Sequence, residues 1–439
     1  MSPKQTMVTV DGPSRTRLTA RELLASLRTR EYTAQDVLES FLARIEEQDP
    51  VVRAFVQVDG EGARRRAREL DQQRPSTPLH GLPIAIKDTI DVAGLKCTLG
   101  TPVHASRVPA RDALVVRRLR EAGAVIVGTT VSTEYAIARA GPTRNPHHAA
   151  HTPGGSSSGS AAAVAAGMAP LALGTQTVGS IVRPATYCGI FGFKPTFGAI
   201  DRAGCMPLSS RLDHVGPFAR TAADLELAWR VLSDARQAGG ATESPPRRPA
   251  RAYRIDEPLQ GRNSPETHEA LDRAQALLEA NGIEVQSATL PVRVADAKAC
   301  WETILFRDIA RNHGADRDAH GEAMSERLRS MIDAGRKVDD SDYKRALGEA
   351  DTLRRELQQR LAAGSIILAP ATDGAAPPFS DETGPSRLQG LWTLVGFPAL
   401  AVPCGNVDAL PVGVQLVGVP HDDDLVLHTG ALFIAEVAE

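Results

Sequence analysis

Thr152-Pro-Gly-Gly-Ser-Ser-Ser-Gly-Ser160 is a run of small residues placed directly before an alanine-rich stretch over 160–168. By composition it reads as a flexible linker, but a linker separates domains, and here strand and helix patterns continue on both sides. The run also contains G-x-S-x-G at 155–159. A nucleophile elbow of that spacing belongs on a tight turn straight after a strand, and the preceding Asn145-Pro-His-His-Ala-Ala-His151 does not read as a strand. The run is therefore a shaped loop that supplies the N-terminus of the helix predicted over 160–168.

Outward from this loop, apolar strands alternate with helices. Pro83-Ile-Ala-Ile86 is a strand candidate, and 112–122 has helical spacing at Leu114, Val115 and Leu119. Gly123 stops that helix before the strand Ala124-Val-Ile-Val127, and another strand candidate, Pro170-Leu-Ala-Leu173, follows the alanine-rich helix. The alternation predicts an α/β fold with a large mixed, mostly buried β-sheet flanked by helices. Upstream, the first 75 residues read as helices, opened by capping-box spacings at Thr19/Glu22 and Thr33/Asp36. Downstream, 236–265 is rich in Gly, Pro and charge and reads as a linker or surface excursion, and 266–360 is mainly helical in pattern. Strands return at 366–368, 400–402 and 412–417. The expectation is one domain over 1–439: N-terminal helices (1–75), a core (76–235), a variable, mostly helical segment (236–360) and a C-terminal part of the core sheet (361–439).

Composition excludes several classes of function. Lys plus Arg number 50 against 53 Asp plus Glu, so a net charge of −3 gives no basic surface for nucleic acid or an anionic membrane. No run of 18 apolar residues predicts a membrane helix, and the start, Met1-Ser-Pro-Lys-Gln5, lacks the apolar core of a signal peptide. Five scattered cysteines without a C-x-x-C pair read as reduced, in a cytoplasmic protein. His147, His148 and His151 lack a clear fourth ligand, so no metal and no other cofactor is expected.

A second glycine-rich turn, Gly174-Thr-Gln-Thr-Val-Gly-Ser-Ile-Val-Arg-Pro-Ala185, follows the strand at 170–173. It lacks the Gly-Lys-Ser/Thr of a phosphate loop. The backbone N–H groups of Thr177, Val178, Gly179 and Ser180 are instead candidates to face a developing oxyanion. Together with Gly81-Leu-Pro-Ile-Ala-Ile-Lys-Asp88, the loop at 152–160 and Gly189-Ile-Phe-Gly-Phe-Lys-Pro-Thr196, this turn resembles the amidase signature family. The resemblance runs from about Leu18 to the end, including Trp392-Thr-Leu-Val-Gly-Phe-Pro398 and Leu410-Pro-Val-Gly-Val-Gln-Leu-Val-Gly418. It implies a Ser-cisSer-Lys triad of Ser180, Ser156 and Lys87, with a cis peptide before Ser156. The 24 residues between the two serines suit one helix and one strand returning the second turn beside the first. Lysine as base must be neutral near pH 7, and burial next to an apolar strand lowers its pKa in that sense.

Gln176 stands where many members of the family carry Asp, Val178 where they carry Gly, and Arg183 follows Ser180 by three positions instead of two. This pattern resembles the malonamidase-like branch. It implies a small amide bearing a carboxylate held by Arg183, with Thr175 and Gly155 also in the substrate site; a structural ion pair is the competing reading of Arg183. The expected activity is hydrolysis of a C–N amide bond to acid plus ammonia or amine through an acyl-enzyme on Ser180. The expected enzyme is cytoplasmic and acts on a small-molecule amide, alone or as a homodimer. The alternative is a component of a tRNA-dependent amidation complex, similar to the amide-cleaving subunit of an amidotransferase; Gln176 and the shifted Arg183 both count against it.

Overall fold

The computed structural model describes residues 15–233, 247–256 and 263–433. Both N-terminal capping boxes form: the Thr19 and Thr33 hydroxyls accept from the backbone N–H of Glu22 and Asp36, whose carboxylates reach back to the cap backbone. The helices they open, Ala20–Thr29 and Ala34–Val52, bury the stripes Leu23, Leu24, Leu27 and Val37, Leu38, Phe41, Ile45.

The first 75 residues are not wholly helical, which corrects the sequence reading. Arg53 takes a left-handed conformation (φ 55°) that ends the second helix, and β1 (Phe55–Val58) follows. Its aromatic and β-branched side chains suit a strand, and it pairs antiparallel with β3 (Val125–Thr130). The remaining strands are β2 (Pro83–Lys87), β4 (Leu171–Gln176), β5 (Phe191–Lys194), β6 (His214–Ala219), β7 (Arg251–Ile255), β8 (Glu284–Ala288), β9 (Ser365–Pro370), β10 (Ala399–Val407) and β11 (Leu410–Val417). They form one mixed sheet of 11 strands in the order β1-β3-β2-β4-β6-β5-β10-β11-β9-β7-β8. β2 runs parallel to both β3 and β4, whereas β4, β6, β5, β10, β11 and β9 pair antiparallel in succession.

The mainly helical pattern of 236–360 also needs correction. β7 and β8 lie within it and extend the sheet in parallel beyond β9. They are short and partly exposed, so neither shows the continuous apolar run that marks a central strand. Among the described residues, the segment otherwise carries the helices Pro265–Ala280, Val294–His320, Glu326–Lys337 and Asp340–Arg360, in line with its helical pattern. Gly239-Gly240, Pro245-Pro246 and the first five residues lie outside the described residues. No helix among the described residues is long and apolar enough to cross a membrane.

The serine-rich loop is buried and fully engaged, unlike a linker. Ser158 Oγ donates to Gly154 O (2.8 Å), and Ser160 Oγ donates to Leu173 O (2.8 Å) while sharing a 2.7 Å bond with Thr130 Oγ1. The helix Ser158–Ala165 and then β4 carry the chain from Ser156 back to Ser180. Gly159 sits so close to the sheet that a Cβ would stand 2.2 Å from Ala54 O and 2.4 Å from Val131 N. Backbone atoms cannot swing aside as a side-chain tip does, so Gly159→Ala is expected to cost about 2–3 kcal/mol. Urea denaturation checks this: an unchanged midpoint would mean that the loop and sheet are free to separate.

Candidate active site

β2 and β4 lie side by side and parallel, with Ile86 opposite Leu173, so their C-terminal ends deliver Lys87 and Thr175 to the same place. Lys87 has no solvent exposure, and its Nζ donates to Ser156 Oγ (2.8 Å) and Thr175 Oγ1 (2.9 Å). Burial holds its pKa down at about 7, opposed by the nearby charges of Asp88 and Asp213. About half of the lysines are then neutral at pH 7, against fewer than about one in a thousand for an ordinary lysine. A salt bridge between Lys87 and Asp88 does not form; Asp88 Oδ2 instead accepts from Thr98 Oγ1 and Gly100 N.

The Gly155–Ser156 peptide is cis. Ser157 N donates to Ser180 O (3.4 Å), which ties the two loops edge to edge, and Ser156 and Ser180 line one cavity of about 550 Å³. The backbone N–H groups of Val178, Gly179 and Ser180 have no protein acceptor among the described residues. The next two, of Ile181 and Val182, both donate to Gln176 Oε1 (2.8 and 3.0 Å). Gln176 Nε2 donates to Thr393 Oγ1, which in turn donates to Val178 O. The turn is therefore fastened on both sides while its middle N–H groups stay open. Val178 takes no left-handed conformation and contributes its side chain to the cavity wall.

Arg183 also lines this cavity but is nearly buried, 8% exposed. Its Nε and Nη2 donate to Gly155 O (3.1 and 2.6 Å) and its Nη1 to Gly384 O (2.6 Å). No carboxylate of the described residues pairs with it. Burial draws its pKa down to about 10, with the Arg327 guanidinium acting in the same sense. Three bonds leave two of its five N–H donors free. Gly155 thus meets Arg183 through its carbonyl. Thr175 stands apart from the Ser180 cavity: its hydroxyl holds Lys87, and it lines a second cavity of about 360 Å³.

Other parts of the site carry no signal in the motifs. Helix Val294–His320 contributes Lys298, Trp301, Glu302 and Phe306 to the wall of the first cavity, and Arg327 and Glu382 approach from later segments. Asp213, which accepts from Thr177 Oγ1 (2.7 Å), precedes β6. The histidines at 147 and 151 bond to backbone carbonyls of Cys188 and Ala376.

The chain matches the family described as Amidase over residues 36–427, and it belongs to that family. A glutamyl-tRNA(Gln) amidotransferase subunit from Roseiflexus sp. (strain RS-1) is 34% identical over 462 residues, spanning 94% of this chain and 95% of that protein. Among solved structures, an amidase superposes with a TM-score of 0.85 at 32% identity, over 94% of this chain and 99% of that one. The native peptide amidase from Stenotrophomonas maltophilia gives 0.81 at 30% identity, over 95% and 96%. The chain is an amide-hydrolysing enzyme of the amidase signature type.

The depressed pKa of Lys87 has a thermodynamic signature. The unfolded chain binds more protons than the folded one between about pH 7 and the ordinary lysine value of 10.5, so stability rises with pH across that window. Lys194, buried with its Nζ on Pro195 O and Phe397 O and also lowered to about 7, acts in the same direction. Lys87→Met is expected to abolish amide hydrolysis and to leave a shallower climb of Tm between about pH 7 and 9. Equal Tm slopes in the two proteins would mean that Lys87 is charged in the fold.

Proposed function

We propose that this enzyme hydrolyses the C–N bond of a carboxylate-bearing amide through an acyl-enzyme on Ser180, with Ser156 and Lys87 as its proton relay. The observation that carries this reading is the buried Lys87–Ser156 hydrogen bond beside a turn with open N–H groups. A neutral lysine has two N–H bonds and one lone pair. With Thr175 Oγ1 accepting one N–H, the lone pair is left for the Ser156 proton.

Ser180 Oγ attacks the amide carbon as its proton passes to Ser156 Oγ, while the Ser156 proton moves to Lys87 Nζ. The N–H groups of the turn 177–180 receive the negative charge that grows on the carbonyl oxygen; one such donor is worth about 10²–10³ in kcat. The relay then returns its proton to the leaving nitrogen, the C–N bond breaks, and ammonia or an amine departs. Water attacks the ester by the same relay and frees the acid.

Arg183 supports a carboxylate in the substrate, because it brings an uncompensated charge and two spare donors to the cavity that contains Ser180. Its bonds to Gly155 and Gly384 make it a strut of the cavity wall as well. Gly155 then acts through its carbonyl as an anchor of Arg183, and Thr175 serves the lysine.

The second reading is an amidotransferase component that passes ammonia to a partner. The relationship to the glutamyl-tRNA(Gln) amidotransferase protein, 34% identity over 94% of the chain, favours it. Ammonia release from a panel of primary amides, with and without a carboxylate and including glutamine, separates the readings. Free-standing turnover is expected; activity that emerges only with a copurifying tRNA-binding partner selects the second reading. Ser180→Ala is expected to lose at least about 10³-fold in kcat. Arg183→Ala is expected to raise KM for acidic amides at least about tenfold more than for neutral ones, and equal losses on both would end the carboxylate role.

A further inference from the structure

The turn that carries Ser180 is held at three points: by Gln176 through Ile181 and Val182, by Thr393 through Val178 O, and by Asp213 through Thr177. Only the third is charged. Asp213 Oδ1 accepts from Thr177 Oγ1 (2.7 Å), and its Oδ2 accepts from Leu208 N (2.8 Å) and Ser209 N (2.9 Å). Thr177 is the first residue after β4, two positions beyond Thr175. Both line the second cavity together with Asp213. There Thr175 holds Lys87 Nζ and Thr177 meets Asp213.

We propose that Asp213 is a positioning residue for the amide reaction: it fixes the Thr177 end of the oxyanion turn, and its negative charge acts on Lys87, which Thr175 of the same cavity wall holds. This rests on the relay assigned above to Lys87, Ser156 and Ser180. The groups that act on Lys87 are Asp88 beside it, Asp213, the Arg183 guanidinium and Cys205. Those that act on Asp213 are Thr177, the backbone of Leu208 and Ser209, and Arg202, whose Nη1 donates to Asp213 O (3.2 Å). Burial brings the Asp213 carboxyl up to about 6, so it is mostly ionised at the pH where Lys87 titrates. A negative charge favours the ammonium form. The carboxylate thus opposes burial and keeps Lys87 titrating near neutrality instead of below it.

The test uses covalent labelling of Ser180 by phenylmethylsulfonyl fluoride, followed by intact mass against pH, and needs no natural substrate. Sulfonylation joins sulfur to Ser180 Oγ and expels fluoride, and the relay takes the serine proton, so the rate rises with pH as Lys87 becomes neutral. In Asp213→Asn the acid limb is expected to move to lower pH by about half a unit or more, and the plateau to fall about tenfold. Thr177→Val removes the hydroxyl but keeps the Asp213 carboxyl; it is expected to lower the plateau and to move the limb less than Asp213→Asn does, and Thr177→Ser to restore the plateau. An Asp213→Asn limb that superimposes on the wild-type limb overturns the electrostatic role. A Thr177→Val plateau equal to wild type overturns the positioning role, even if Asp213→Asn does not fold. Loss of wild-type labelling at every pH would instead remove Ser180 as nucleophile, an outcome distinct from either.

Discussion

Much of this molecule follows from keeping one lysine dry. A Lys Nζ with no solvent exposure must find its partners inside the protein, because an unpaired buried ammonium is among the costliest groups a fold can hold. β2 ends at that lysine, and its two parallel neighbours, β3 and β4, surround it with Thr130 and Thr175. The hydrogen-bond partners it finds are hydroxyls, not carboxylates. A hydroxyl accepts from an amine without demanding the charge that a carboxylate would stabilise, so the proton remains transferable. The same need explains why the sheet is continuous here and why the serine-rich loop is pressed against it with no room for a Cβ at Gly159.

The chemistry is divided between two loops of opposite character. The loop at 152–160 is saturated: its serines bond to backbone carbonyls and to each other's neighbours, so its geometry is stiff. The turn at 177–180 is fastened through the Thr177 hydroxyl, the Val178 carbonyl and the N–H groups of Ile181 and Val182, and leaves the N–H groups of Val178, Gly179 and Ser180 without a protein acceptor among the described residues. Unsatisfied N–H groups normally destabilise a buried segment. Here they border a cavity, where a substrate oxygen can complete them, and the fastening confines them until that occurs.

The centre of this arrangement is readable in the sequence because the centre is local. Lys87 ends an apolar strand, Ser156 follows a glycine pair, and Ser180 follows a second strand, and the contiguous motifs around them carry the resemblance to the amidase signature family that singles the three out. The long strands with continuous apolar runs are readable for the same reason. β1, β7 and β8 are not, because four or five partly exposed residues carry too little periodicity to outweigh helical neighbours. The cavity wall is unreadable for a different reason. Trp301, Arg327 and Glu382 reach the serines only through tertiary packing from more than a hundred residues away, and nothing near them in sequence encodes that meeting. Arg183 shows the limit within a motif: its position is readable, but not its bonds to the Gly155 and Gly384 carbonyls.

Gln176 places a primary carboxamide within the core of an enzyme that breaks amide bonds. Its carbonyl oxygen receives two backbone donors and its nitrogen is bound to Thr393, so both ends are occupied within the protein. Neutrality matters as much as this bonding. A carboxylate in this position would accept the same two N–H groups but would set a permanent negative charge beside the oxygen that becomes negative during attack. Glutamine organises its side of the turn with a neutral group, and the charge in the support is confined to Asp213 at the Thr177 end.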